Sequence, residues 1–254
     1  AIAYTVFGGL RAVAYTDVVQ LFLILVGLGV AIPYAVDAAG GTGVLLERVS
    51  GAIGGDSAFG GFGSTYETIS YVDWFFILML GGIPWNVYFQ RVLASRDGAV
   101  ARKTSILAGV LCFSMALPPL ILGLSGRGID WASLPLVQAG TLGGPEAVQA
   151  ALEESPALVL PYLLRLAVPT WVGVVALGAV AAAVMSSVDS SILSASSLVA
   201  WNGYKRLFRP EATTKEVAIL IRVLVVLLGI ASTAIALSVG SVAALWYLCG
   251  DVVY

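Results

Sequence analysis

The chain has 254 residues, of which 59% are hydrophobic and 11% are charged, and its net charge is −2. Soluble domains carry about 25% charged residues, so this composition excludes an ordinary soluble domain and is typical of a polytopic membrane protein. There is no histidine, which removes the commonest general base and transition-metal ligand, and no basic cluster with interleaved aromatic residues, so we expect no nucleic-acid binding.

Seven apolar stretches are candidates for membrane helices, each of which needs about 20 mostly apolar residues to cross a bilayer. These stretches are 1–10, 12–36, 72–92, 104–124, 161–199, 217–239 and 242–254. The first is only the end of a helix, and the last is only the start of one. We therefore expect a fragment of a longer protein, with helices missing on both sides. Since 161–199 exceeds one span, we predict a short re-entrant or interfacial piece around 156–165, before a helix that starts near Pro169.

Charges in the connecting loops predict how these helices are oriented. Basic residues gather in the loops around 91–103 and 205–222, whereas the loops 37–71 and 125–160 are mainly acidic. The positive-inside rule places the basic loops in the cytoplasm. The segment 40–65 is rich in Gly and Ser, and we predict a flexible extracellular connection there.

Two aspartates lie inside predicted spans, Asp17 near the start of 12–36 and Asp189 within 161–199. A carboxylate in hydrocarbon is costly unless it is compensated, so an intramembrane acid indicates a functional site. If the basic loops are cytoplasmic, both acids lie in the inner half of the membrane, at similar depth.

Small and hydroxyl residues accompany Asp189 along one helix face. These residues are Ala183, Ser186, Ser187 and Ser190. They are spaced at i, i+3, i+4 and i+7, which places them on one face of a helix. Oxygen ligands without a fixed positive charge suit a small, hard cation. Helix–helix packing is the alternative explanation for the serines. A serine nucleophile is disfavoured, because the chain has neither a histidine nor a Gly-x-Ser-x-Gly motif.

A break is predicted midway along 72–92, where Gly81-Gly82-Ile83-Pro84-Trp85 would interrupt a helix. Such breaks are tolerated in membranes where they line a cavity, and transporters use them near the midplane. The aromatic face of Trp85 suits a quaternary ammonium group by cation–π attraction, with packing as the alternative role.

These segments together resemble the sodium/solute symporter family. Residues 8–20 resemble its fifth core helix and residues 183–197 its eighth, while 80–95 and 245–248 are most similar to the family's choline-transporting members. The resemblance implies an all-α polytopic membrane protein, a fragment of a 5+5 inverted-repeat (LeuT-like) transporter fold. Residues 1–254 would be a partial transmembrane domain, truncated at both ends, with the end of the first repeat and most of the second. The first core helix would be missing.

The resemblance also implies sodium and substrate sites. The family's common sodium site is matched by the backbone of Ala183 and by Ser186 and Ser187. A second sodium site, which some members have, is matched by Asp17, Asp189 and Ser190. Trp85 matches one wall of a choline cage, and Trp246 is a weaker match to a neighbouring aromatic. Choline-transporting members depend on chloride, for which we place no ligand.

We therefore predict sodium-coupled symport of choline or a related quaternary amine by alternating access, in the plasma (cytoplasmic) membrane. The partners would be this small solute, sodium and the lipid bilayer, with no further cofactor and no enzymatic activity. The alternatives are a sodium symporter for another small solute such as proline, a membrane-embedded enzyme that uses the aspartates, and a channel. The few polar residues in 104–124 and 217–239 argue against a channel.

Overall fold

The computed structural model describes residues 2–54, 69–70, 72–73, 75–76, 79–80 and 85–239. Its helices with described bounds are α1 Ile2–Ala38, α2 Thr42–Gly54, α3 Asn86–Leu93, α4 Gly98–Gly128, α5 Pro135–Gln138, α6 Pro145–Glu154, α7 Val159–Tyr162, α8 Thr170–Leu198 and α9 Thr214–Ser238. A π-helical turn, Leu163–Ala167, follows α7, and another, Val199–Phe208, follows α8.

Four of the described helices are long and apolar enough to cross a membrane: Ile2–Ala38, Gly98–Gly128, Thr170–Phe208 and Thr214–Ser238. Their many exposed leucine, valine and phenylalanine side chains suit contact with lipid tails. The prediction of an all-α polytopic membrane protein is confirmed.

Helix α1 contains a corner at Gly9, where φ is 56° and ψ is −149°. A residue with a side chain is strained in this conformation, so glycine is the residue that suits the corner. The sequence predicts two helical stretches here, 1–10 and 12–36, and the corner falls at the boundary between them. The helix ends before Gly40 and Gly41, which both have positive φ.

The chain divides into two compact units, and the larger one runs from Val18 to Val184. Its core is built from buried small and aliphatic residues of α1, α4 and α8: Leu28, Ala31, Ala35, Leu122, Val172, Ala176 and Ala179. A Cβ atom at Gly27 would lie 2.6 Å from that of Ala179 and 3.1 Å from the carbonyl oxygen of Val175, so only a residue without a side chain lets α1 and α8 pack this closely. Small residues allow such close helix packing in membranes.

The segment between α4 and α8 is folded into short helices. Pro135 and Pro145 occupy the first turns of α5 and α6, where their missing N–H groups cost nothing. Val137, Val148 and Leu166 form a small core beneath them. A short apolar helical segment, Pro156–Ala167, covers the residues predicted to be re-entrant or interfacial, which stays a prediction, and α8 begins at Thr170, directly after Pro169.

The prediction of a flexible connection at 40–65 is wrong for residues 42–54, which form helix α2. Its residues Leu45, Leu46 and Glu47 have good helix propensity despite the neighbouring glycines. The predicted break at 81–84 and the start of a helix at 242–254 lie outside the described residues. Described helix resumes at Asn86, directly after Trp85 in an extended conformation.

The smaller unit combines Ala1–Asp17 with Met185–Tyr254. Its main core contains buried Val13, Ile192, Leu193 and Val225. This core packs the chain on both sides of Gly9 against α8 and α9, and so holds the amino-terminal part of α1 beside the acids predicted from the sequence.

The turn between α8 and α9 belongs to the same unit. The Tyr204 hydroxyl donates to Glu216 Oε1 at 2.5 Å, and Arg209 Nη1 lies 2.9 Å from the same oxygen. The hydrogen bond with Tyr204, and then the charge of Glu216, raise the pKa of Arg209. Thr213 caps α9 by accepting from Glu216 N at 3.2 Å.

Candidate functional site

Asp17 and Ser186 form the first contact of the candidate site. The Ser186 hydroxyl donates to Asp17 Oδ1 at 2.6 Å, across 169 positions of sequence. In the turn of α1 before Asp17, the Thr16 hydroxyl bonds back to the carbonyl oxygens of Ala12 and Val13. The fold therefore brings an acid of α1 onto the serine-rich part of α8.

Asp189 lies one helical turn further along α8 and is only 1% exposed. Its Oδ2 accepts a hydrogen bond from the Tyr4 hydroxyl, and its Oδ1 has a long contact of 3.5 Å from the hydroxyl of Ser190. In the part of the chain that the structure describes, no lysine or arginine forms an ion pair with Asp189. A buried carboxylate in this setting needs compensation by hydrogen bonds or by a cation.

Ser186, which bonds to Asp17, is one helical turn from Asp189 on α8, so the two carboxylates are neighbouring negative charges that repel each other. A cation held between two such carboxylates relieves this repulsion, and hydroxyl oxygens complete its coordination. Sodium is a hard cation that such a set of oxygens suits. Among the described residues there is no group of three or more His, Cys, Asp or Glu side chains that could bind a transition metal.

The predicted sodium-site residues on α8 differ in burial. Asp189 and Ser190 are buried and Ser186 is partly buried, so these three share a side of the helix with the contacts to Asp17 and Tyr4. Ser187 is exposed, because one residue along a helix turns the side chain by about 100°. Ala183 is partly buried, one turn before Ser186.

Of the predicted substrate residues, Trp85 is described and Trp246 lies outside the described residues. Trp85 belongs to the larger unit, immediately before α3, and is 49% exposed. The ring of Tyr88 meets it edge-on, with centroids 5.4 Å apart and planes at 79°. This arrangement holds the indole while leaving about half of its surface uncovered.

Two polar residues of α1 escaped the sequence reasoning. Tyr4 lies in an apolar stretch, and the signal that would have found it is its hydroxyl, which needs a partner when buried. Gln20 is 7% exposed, and its Oε1 accepts no hydrogen bond from the described part of the protein.

The model of the "Sodium:solute symporter family" matches residues 1–250. The chain belongs to the sodium:solute symporter family. It is 43% identical over 254 residues to "High-affinity choline transporter 1" of Caenorhabditis elegans and 42% identical to "High affinity choline transporter 1" of Mus musculus. Over 91% of its length it is 30% identical to "Sodium/glucose cotransporter 2" of Rattus norvegicus.

The chain spans 42% of the length of the choline transporters that it matches. Membership of the symporter family agrees with the predicted fold class. The family and its named relatives describe transport rather than catalysis, in line with the expectation that the chain is not an enzyme. Together with the four membrane-length helices, membership makes the chain part of an integral membrane protein.

Proposed function

We propose that the full-length protein is a sodium-coupled symporter of choline or a related quaternary amine, and that it works by alternating access. The main observation behind the proposal is that Asp17, Ser186 and Asp189 lie together on one side of α8. Family membership supports sodium coupling, and identities of 41–43% to proteins named as choline transporters support the choice of solute.

Sodium would act as the driving co-substrate at oxygen atoms of this chain. In the proposal, Asp17, Asp189 and Ser190 hold one ion, with Ser186 next to them. Ser186 and Ser187, with the backbone carbonyl of Ala183, contribute to the family's common site. Coupling requires that sodium favour the conformation that binds solute, and that solute favour sodium binding to the same degree.

The solute would be recognised by aromatic surfaces rather than by an acid. The half-exposed indole of Trp85, held edge-on by Tyr88, offers a π face to a quaternary ammonium group. We propose Trp246 as a second aromatic neighbour of the solute. We also propose that residues 1–254 contribute the end of the first repeat and most of the second, in a multi-pass protein of the plasma membrane.

The test is uptake by the full-length protein in proteoliposomes. An inward sodium gradient should drive accumulation of labelled choline, and replacing sodium with potassium on both sides should abolish it. Unlabelled choline should compete, and proline should not. Choline uptake that is independent of sodium would contradict the coupling.

Sodium-coupled symport of another small solute is the second candidate function. The similarity to a protein named as a sodium/glucose cotransporter supports it. The two candidates share the sodium chemistry and differ in the solute. Sodium-driven uptake that glucose or proline inhibits, and choline does not, would favour the second.

A further inference from the structure

Tyr4 lies on the other side of a chain corner from Asp17, yet both contact neighbouring turns of α8. Along an unbroken α-helix, Tyr4 and Asp17 would be about 20 Å apart, whereas Ser186 and Asp189 are only about 4.5 Å apart along theirs. A straight α1 therefore cannot make both contacts. The corner at Gly9, with φ 56° and ψ −149°, redirects the chain so that it can.

The ring of Tyr4 is held by the core of the smaller unit. It packs against the cluster that contains Val13, Ile192, Leu193 and Val225, on α1, α8 and α9. A tyrosine side chain has only two rotatable torsions before its ring, so packing of the ring also fixes the position of its hydroxyl. That hydroxyl donates to Asp189 Oδ2.

The two oxygens of the Asp189 carboxylate are consequently unlike. Oδ2 is engaged by Tyr4, whereas the contact that Oδ1 receives from the Ser190 hydroxyl is 3.5 Å long, at the limit of a hydrogen bond. Partners that hold a metal-ligating carboxylate orient it and tune its affinity for the ion. A cation that approaches Asp189 would therefore meet Oδ1, with the carboxylate plane already set.

We propose that Tyr4 is a positioning residue for the sodium site, which holds Asp189 through Oδ2 and presents Oδ1 to the ion. This inference rests on the proposed function, because it assigns a role within the proposed sodium-coupled cycle. Tyr4 does not contact the solute in this scheme. Its removal should change sodium dependence and leave solute recognition at saturating sodium unaffected.

The experiment compares Tyr4→Phe with wild type in the full-length protein in proteoliposomes. Removing the hydroxyl should raise the sodium concentration for half-maximal choline uptake about tenfold, as for loss of a partner that orients a metal ligand. At saturating sodium, the choline half-saturation should stay within about twofold of wild type. Tyr15→Phe is the matched control, because Tyr15 is on the same helix and 78% exposed, and it should behave as wild type.

A merely structural role for Tyr4 predicts a different result. Tyr4→Phe would then lower the amount of folded protein and the maximal rate, without changing the sodium half-saturation. Replacing Tyr4 with 4-aminophenylalanine keeps the ring and a weaker N–H donor at the same place. It should give a sodium half-saturation between wild type and Tyr4→Phe, and it replaces Tyr4→Phe in the test if that variant does not fold.

The outcomes separate this inference from the proposed function. If wild-type protein shows no sodium-driven choline uptake, the proposed function fails. If wild type transports choline with sodium and both Tyr4 variants keep its sodium half-saturation, the inference about Tyr4 is overturned while the proposed function stands.

Discussion

Replacing Gly9 with alanine tests the corner on which the candidate site depends. The structure offers a matched control in Gly178, a helical residue of α8. At both positions an added Cβ would have no atom within 4 Å, so neither substitution creates a clash. The difference between them is backbone conformation, since Gly9 has φ 56° and ψ −149° whereas Gly178 is in regular helix.

The expected magnitude follows from this difference. Alanine at Gly9 must adopt a conformation that costs a residue with a side chain about 1–3 kcal/mol. Alanine at Gly178 should instead stabilise its helix by about 0.5–1 kcal/mol, because glycine loses more conformational freedom on folding. Both substitutions restrict the unfolded chain equally, so the strain at Gly9 separates the two variants. This strain should make the folding equilibrium constant of Gly9→Ala about 5- to 160-fold smaller than that of Gly178→Ala.

The assay is equilibrium unfolding of the full-length protein in mixed micelles at increasing denaturing detergent, followed by tryptophan fluorescence. Gly9→Ala should unfold at lower detergent than wild type, and Gly178→Ala at the same or higher detergent. Equal stability of the two variants would refute the reasoning, since it would mean that position 9 carries no conformational requirement.

Three further substitutions test the sites and the turn after α8. Asp17→Ala should raise the sodium half-saturation of choline uptake about tenfold or more, because a charged ligand and its serine contact are lost. A larger change in choline selectivity than in sodium dependence would contradict this. Trp85→Ala should raise the choline half-saturation about 2- to 30-fold by loss of cation–π attraction, at unchanged sodium half-saturation. Trp171→Ala is its control, since Trp171 is similarly exposed and has an edge-on aromatic partner of its own. If both substitutions changed the choline half-saturation equally, Trp85 would have no specific role in binding choline. Tyr204→Phe should lower the free energy of unfolding by about 0.5–1.5 kcal/mol through the lost bond to Glu216. Unchanged detergent unfolding would show that this bond contributes nothing.

The sequence predicted the class of protein because composition and long apolar stretches report directly on the solvent of a helix. It also singled out Asp17 and Asp189, since a carboxylate is conspicuous in an apolar stretch whatever its neighbours are. The start of α8 after Pro169 followed from local chemistry in the same way. The sequence did not predict helix α2, because its glycine and serine residues are typical of a loop although apolar residues lie between them.

Helical periodicity placed Ser186 and Ser187 on one broad face, but it could not say which of them contacts an acid. In the structure Ser186 donates to Asp17 and Ser187 is exposed. That choice depends on where α1 crosses α8, and no local pattern encodes a contact between residues 169 positions apart.

What the sequence by itself determined is therefore local: the apolar helices, the two acids within them, the hydroxyl residues beside one of these acids, and the motifs that mark the family. The tertiary structure alone decided that Tyr4 meets Asp189. A glycine in an unusual conformation turns the chain at position 9, and packing of aliphatic residues from three helices then fixes the tyrosine ring. Sequence spacing carries no record of such a contact, because it arises from the packing of separate helices rather than from the period of any one of them.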